Sequence, residues 1–402
     1  MSSDSARLTV AEVEAILAPI DSASTLPRRA FTSEAFFDWE RQRITERNWL
    51  AACFSAEVSG RGDAIPVDLW GVPIVVLRDD SGGVRAFHNV CAYDGCPVLT
   101  EPVRDAEDLV ATYHGWRYAL NGDLIEAPFF AGRPGNGRDA VPSQHRHLAE
   151  IPVAEAVGIV FVDLFPDVAK PTFDQHVAPL LSLLAEVDLD GLKAAVGEDL
   201  NVDVFESVIA TNWKTVVEND CINILHESFT HELYNRSLVV PRVAADGTPL
   251  FQAEIDGDLI GFSYAAKDAA GTYPEIDIPH IGNDGRPKRG FFVQFHPNVS
   301  LAMTSTVVAP ILQFPEASDR TRVRGATLVR SQAAGPEYAD RRSVVDDLFV
   351  AAAAEDRAVI EAVQQTRSSP TRDGGFYSPF WDQPHHALSI RIVHDLIDQE
   401  VR

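Results

Sequence analysis

The stretch Asn89-Val90-Cys91-Ala92-Tyr93-Asp94-Gly95-Cys96-Pro97 and a second, Ala111-Thr112-Tyr113-His114-Gly115-Trp116, lie about twenty residues apart. Together they hold two thiols and one imidazole, which are donors for soft and borderline metals. Cys91, Cys96 and His114 could hold a mononuclear zinc, although structural zinc takes four closed ligands and only three are offered. The plainer reading is that Cys91 and Cys96 are small buried apolar residues, a role that suits free cysteine.

Working outward, the 402 residues are long for one core and suggest two domains, or one domain with a large insertion. At 46% hydrophobic and 23% charged residues, the composition is that of a globular chain. A net charge of −25 repels a phosphate backbone, and no basic stripe overrules it, so nucleic-acid binding is excluded. The opening Met1-Ser2-Ser3-Asp4-Ser5-Ala6-Arg7 lacks a positive start followed by an apolar run, so no secretory leader is expected. No apolar run approaches the roughly eighteen residues a membrane span needs. Four cysteines without framework spacing fit a reducing cytoplasm, the expected location.

Helical periodicity covers residues 9–20, and residues 28–47 read as a second helix rich in aromatics and charges. After Trp49 the texture turns to short β-rich runs: Ile74-Val75-Val76-Leu77, Leu109-Val110-Ala111-Thr112-Tyr113 and Gly158-Ile159-Val160-Phe161-Val162-Asp163. Turns are marked by Asp80-Ser81-Gly82-Gly83 and by Asn121-Gly122, the latter a strong hairpin mark. A small all-β unit over residues 45–165 is expected, following an N-terminal helical segment at 1–44, with residues 166–171 as its exit. Beyond residue 200, strand-like runs stand at Leu259-Ile260-Gly261-Phe262-Ser263, Phe291-Phe292-Val293-Gln294-Phe295, Val299-Ser300-Leu301-Ala302-Met303 and residues 322–329. Two helices accompany them, one capped by Asn212 and one over residues 343–365 containing Ala351-Ala352-Ala353-Ala354. Consecutive strands between two helices predict an antiparallel sheet with packed helices, an α+β fold. Residues 166–402 are expected to form that domain.

The first of those helices runs into Glu218-Asn219-Asp220-Cys221-Ile222-Asn223-Ile224-Leu225-His226-Glu227-Ser228-Phe229-Thr230-His231. Histidines five apart on a straight helix point roughly 140° away from each other, at about 100° per residue. They converge on one ion only if the helix ends or unwinds near Glu227. Two neutral imidazoles with one carboxylate make a facial set for ferrous iron that leaves positions open. The bland alternative is two polar residues at a helix end.

Both regions resemble the Rieske non-haem iron oxygenases, the aromatic-ring-hydroxylating alpha subunits. That family reads C-x-H, about seventeen residues, then C-x-x-H-G-W in the cluster box, where this chain has Cys91, Tyr93, Ala111 and His114. A Rieske centre is two irons and two sulfides held by two thiolates and two imidazoles, so each iron keeps one matching ligand. Alanine has no donor, a tyrosine phenolate is a harder ligand that would lower the potential, and Cys96 could stand in for the absent thiolate. In the catalytic half, Asn212-Trp213-Lys214, Glu218-Asn219 and the histidine pair match the family, as does Glu355-Asp356-Arg357-Ala358-Val359-Ile360-Glu361-Ala362-Val363-Gln364. The C-terminal Gly375-Phe376-Tyr377-Ser378-Pro379 and His385-His386 also look like the family's, so the resemblance runs over residues 26–397. It implies an iron triad of His226, His231 and Asp356. It also implies an acidic bridging residue three before the first histidine, where this chain has Asn223, which hydrogen-bonds but carries no charge.

The resemblance therefore implies bound Fe(II) with the [2Fe–2S] cluster expected absent. Three activities stay open: an oxygenase-type oxidoreductase fed by substrate, an external reductant or a partner's cluster; a quiet oxygenase-like subunit of a mixed complex; and a Fe(II) Lewis-acid enzyme. Retention of the triad favours an enzyme. The expected partners are a small organic substrate, dioxygen, and a reductase or ferredoxin. The expected assembly is a homotrimer, or a heterotrimer with a cluster-bearing homologue. Phe229, Phe291, Phe295, Met303 and Phe349 are candidates for an apolar pocket, with core packing the commoner role for such residues.

Overall fold

The computed structural model describes residues 6–231, 250–265, 276–371 and 373–397. It divides into two compact units, Met1–Asn48 with Pro171–Arg402, and Trp49–Lys170. The larger unit opens with α1 (Val10–Ile16), α2 (Arg29–Thr32) and α3 (Glu34–Arg47). The single helix expected over residues 28–47 is thus two. Ser33 is extended between them and its hydroxyl caps the second by accepting from Phe36 N. The first helix, α1, is also shorter than residues 9–20, and it is framed by a Thr9/Glu12 capping box.

The smaller unit is β1 (Leu50–Phe54), β2 (Ala64–Leu69), β3 (Val72–Arg78), β4 (Val84–His88), β5 (Asp108–Ala111), β6 (Trp116–Ala119), β7 (Leu124–Glu126), β8 (Glu150–Ile151), β9 (Val153–Ala156) and β10 (Ile159–Val162). They pair antiparallel into three small sheets, ordered β1-β10-β9, β2-β3-β4-β8 and β5-β6-β7. The core between them includes Val75, Leu77, Phe87, Leu109, Trp116, Tyr118 and Leu124. Gly122 turns the β6–β7 hairpin at φ +89°, and a Cβ there would stand 2.6 Å from the Phe87 ring. Only glycine fits that turn. The strand read as running to Tyr113 stops at Ala111. There His114 and Gly115 both donate their amides to the Ala111 carbonyl, and Gly115 takes φ +71°.

The larger unit continues with α4 (Phe173–Leu183), β11 (Leu192–Ala194), β12 (Val204–Ile209), α5 (Trp213–Val217) and, beyond a π-helical segment, α6 (Glu227–Thr230). Its strands then run β13 (Phe251–Asp256), β14 (Leu259–Ala265), β15 (Arg289–Phe295), β16 (Val299–Met303), β17 (Val308–Ala317), β18 (Arg320–Ala326) and β19 (Leu328–Arg330), followed by α7 (Ala339–Arg367) and α8 (Gln383–Leu396). The sheet is antiparallel in the order β11-β19-β17-β16-β15-β14-β13, with β18 pairing both β17 and β12. The run expected over residues 322–329 is interrupted at Thr327, which divides β18 from β19. One unit of small antiparallel sheets and one with a large sheet and packed helices make up the α+β class that the sequence predicts.

The N-terminal helices are tied to this sheet by a buried charge. Glu40 on α3 accepts from Lys214 Nζ at 2.7 and 2.9 Å and from Trp213 Nε1 at 2.9 Å, and neither charged side chain is exposed. Desolvation lowers the Lys214 ammonium pKa, and the Glu40 carboxylate opposes that fall. Removing one member of such a pair leaves the other buried without compensation, so α3 is fixed to the start of α5.

Candidate metal centre

The sequence places the centre by ending a helix early. Asn212, extended at φ −64° and ψ 143°, accepts from Lys214 N and starts α5, whose five residues are all buried. The backbone then widens into a π-helical segment, Glu218–Ile222, in which Asn223 N donates to Glu218 O at 2.7 Å. Asn223 leaves helical geometry at φ −88° and ψ 88°, residues 224–226 turn, and α6 is a single turn before His231 becomes extended. The helix is therefore broken before His231, as convergence of the two histidines requires, with the break at Asn223 and not at Glu227. Its interruption removes the angular separation a straight helix imposes on residues five apart.

His226 and His231 meet Asp356, which projects from α7. Their ligand atoms lie within 4.8 Å of one another, the two Nε2 atoms approach Asp356 Oδ1 at 3.5 and 3.2 Å, and the rings are 5.4 Å apart. That Asp356 oxygen is buried and makes no hydrogen bond. An orphaned carboxylate oxygen facing two imidazole nitrogens fits a bound divalent ion, because a buried polar atom without a partner is costly. Desolvation would raise the Asp356 carboxyl, and the His226 and His231 rings outweigh it, holding it at about 2.

The far side of each imidazole is also held. His226 Nδ1 bonds the Asn223 carbonyl, and His231 Nδ1 lies 2.9 Å from Glu355 Oε2. Both contacts fix the Nδ1–H tautomer and leave Nε2 as the ligand atom. Asn223 thus enters through its main chain. Glu355 is a member the sequence reading passed over, although it adjoins Asp356 in the same helical motif.

Asp220 and Glu218 were also missed. Asp220 is half-buried and pushed up to about 7 by desolvation and by Asp356. The buried Glu218 bonds Arg367 Nη2 at 2.6 Å and His385 Nε2 at 3.2 Å. Desolvation would raise its carboxyl, but Arg367 and His385 outweigh it and hold it at about 2, against an ordinary 4.5. A depressed carboxyl stabilises the fold above its unfolded value and loses that contribution as pH falls through the folded one. Glu218→Gln is therefore expected to cost about 3 kcal/mol in denaturant unfolding at pH 6 to 7. The cost should shrink below about pH 4.5 and vanish near pH 2.

Of the apolar candidates, Phe291, Phe295 and Met303 are buried in the sheet, and Phe349 packs against a core cluster. Phe229 is 82% exposed, so it lines no enclosed pocket.

The four positions of the other box sit together but carry different chemistry. Cys91 is buried with Sγ 3.3 Å from Tyr118 Oη, and burial with the Cys91 contact pushes that phenol up. Ala111 is fully buried and offers no donor. Tyr93, half exposed, meets the His114 ring edge-on at 4.8 Å and stacks on Trp116 at 5.3 Å. His114 Nε2 lies 2.6 Å from Asp94 Oδ2. Desolvation, Asp94 and Cys91 push the Cys96 thiol up to about 12, which opposes its use as a substitute thiolate. Among the described residues, Cys91, Cys96 and His114 do not close into a metal-sized group as the triad does, so the zinc option has no geometric support. The donors present do not make the two-thiolate, two-imidazole set of a Rieske centre.

The profile of the Rieske [2Fe-2S] domain matches residues 48–143, and that of the ring hydroxylating alpha subunit catalytic domain matches residues 190–392, half of the chain. The chain belongs to the ring-hydroxylating oxygenase alpha-subunit family, whose catalytic site uses non-haem Fe(II). Among individual proteins, it is 32% identical over 196 residues to the glycine betaine monooxygenase oxygenase subunit of Chromohalobacter salexigens, covering 49% of this chain and 41% of that one. It is 26% identical over 227 residues to the carnitine monooxygenase oxygenase subunit of Escherichia coli, covering 55% of each. The matched stretch thus spans about half or less of these relatives' own lengths. A solved quaternary ammonium Rieske monooxygenase superposes with a TM-score of 0.74 at 19% identity, over 97% of this chain and 98% of that one. Naphthalene 1,2-dioxygenase from Rhodococcus superposes with a TM-score of 0.70 at 18% identity, over 93% and 95%. These superpositions bear on the fold. No helix among the described residues is long and apolar enough to cross a membrane.

Proposed function

We propose that this chain is a mononuclear non-haem Fe(II) oxidoreductase of oxygenase type that has given up its own [2Fe–2S] cluster. The observation that carries this reading is a contrast between two sites. His226, His231 and Asp356 converge with both imidazoles fixed from behind, while the cluster box reads thiol, phenol, methyl and imidazole. Ferrous iron in such a facial set supplies redox and Lewis-acid chemistry with positions left for dioxygen and substrate.

The chain's own residues define what happens around it. The Asn223 carbonyl and Glu355 hold the two imidazoles in one tautomer and orientation, so Nε2 needs no rearrangement to bind. Burial of His231 and of the Asp356 oxygen keeps water from competing for them. Electrons come from the substrate, an external reductant or a cluster in a partner chain, because the usual local donor is missing. The proposed assembly is a trimer, of this chain alone or with a cluster-bearing homologue. The substrate is a small organic compound; relatives named for glycine betaine and carnitine stand beside dioxygenases named for aromatic compounds.

Metal and sulfide analysis of native protein purified without oxygen tests the reading. The expected result is a colourless protein with about one iron and no acid-labile sulfide per chain. Brown material with inorganic sulfide would overturn the cluster loss, and a chain that takes up no iron would overturn the metal centre.

A further inference from the structure

A cavity of about 410 Å³ lies in the larger unit, between the segment that enters α2, the end of α7 and α8. No triad residue is on its wall. Arg367, which is, stands eleven residues past Asp356 on α7, about 16 Å further along the helix axis.

Most of the charge on that wall is already compensated. Glu218 gives one carboxylate oxygen to Arg367 Nη2 at 2.6 Å and the other to His385 Nε2 at 3.2 Å. Arg367 also donates to Thr215 Oγ1 and lies over the Phe31 ring, 3.7 Å from its centroid. Arg28 is different. Its side chain donates to the neutral Ser368 carbonyl at 3.2 Å, and among the described residues no carboxylate pairs with it. Asp373 takes the Arg28 main-chain amide instead, at 2.9 Å. A guanidinium has five N–H donors, so most of this one stays open.

A further donor comes from α8. Ser389 is 3% exposed and accepts from Tyr377 Oη at 2.8 Å, while among the described residues nothing accepts the serine's own proton. Leu26 and Phe31, both buried, give the wall an apolar part. These surroundings suit a negatively charged acceptor with an apolar body. One open guanidinium balances one charge, and its flat fork matches the two oxygens of a carboxylate. The volume is that of a pocket for a small organic molecule. We propose that this cavity is a second ligand site, independent of the metal centre, that binds a small organic monocarboxylate through Arg28.

Calorimetric titration with matched acids and amides tests the site: benzoate against benzamide, 4-phenylbutanoate against 4-phenylbutanamide, and hexanoate against hexanamide. Each pair is run on iron-loaded protein and on protein stripped by chelator, because a carboxylate held by iron would be lost with the metal. The acid of at least one pair is expected to bind about tenfold tighter than its amide in both forms, the worth of one charge-assisted contact. Arg28→Gln should bring acid and amide near equality, and Arg28→Lys, which lacks the planar fork, should keep part of the difference. Inorganic phosphate should displace the acid only weakly. No binding by any acid, equal binding of acid and amide, a preference that disappears with the iron, or one that survives in Arg28→Gln overturns the proposal. Displacement by phosphate as readily as by the acid itself overturns the organic class. If the glutamine variant does not fold, Arg28→Lys decides, and an unchanged preference there overturns the role of Arg28.

Discussion

His226→Ala is expected to yield a folded protein that has lost nearly all its iron, together with any dioxygen-dependent turnover. Two donors remain after the change, His231 and Asp356, and the facial set needs three. The fold should survive because His226 lies in a turn, is only partly buried, and its ring contacts the neighbouring Asn223 carbonyl and the triad. Glu355→Ala makes an informative contrast. It leaves three ligand atoms in place and frees the back of His231, so metal affinity should fall by roughly 10- to 100-fold without vanishing. The check is iron per chain by elemental analysis after dialysis against graded chelator. Wild-type iron content in the His226→Ala protein would remove the triad assignment. Equal, complete loss in both variants would mean that Glu355 is itself a ligand.

What the sequence discloses about this centre follows from which forces are local. Asn212 reads as a helix start because a side-chain oxygen before an apolar run caps the first free amides, and the structure has that bond. The regular strands β14, β15 and β16 show as apolar runs because both of their faces are covered. As a candidate set the triad was legible through the family resemblance, the histidine spacing alone being weak evidence. Its geometry was not, because a π-helical segment has no sequence period distinct from an α-helix, and a straight helix would have sent His226 and His231 apart.

Ser33 and the turn after Ala111 were missed for a related reason. Each is a one- or two-residue break chosen by tertiary packing and satisfied by a single cap or a positive-φ glycine. Glu355 and Asp220 were invisible for a different one. Glu355 gains its role from His231, 124 residues away, and Asp220 meets Ser300 from 80 residues away. A list of residue types shows neither relation.

Tyr93→His combined with Ala111→Cys is expected to return acid-labile sulfide to the protein, from none to about two per chain, with visible charge-transfer bands. The scaffold has the required proximities. The rings of Tyr93 and His114 lie 4.8 Å apart, close to the 5.4 Å between the two imidazoles of the triad, so a histidine at 93 would face His114 at a spacing two imidazoles adopt around one ion. Cys91 and Ala111 are both buried in one apolar cluster, so a cysteine at 111 would add a second buried thiol to it. Assembly has to break the His114–Asp94 contact and draw Cys91 Sγ from Tyr118, each a single hydrogen bond worth about 1 to 3 kcal/mol. Four metal–ligand bonds exceed that cost, given that structural metal sites contribute of order 10 kcal/mol to the domains they hold. Reconstitution with iron and sulfide, followed by sulfide assay and absorption spectra of the single and double variants, measures the outcome. A double variant that folds yet takes up no sulfide would show that the loops as well as the ligands have departed from a cluster-binding shape. Sulfide in the unmodified protein would show instead that the cluster was never lost.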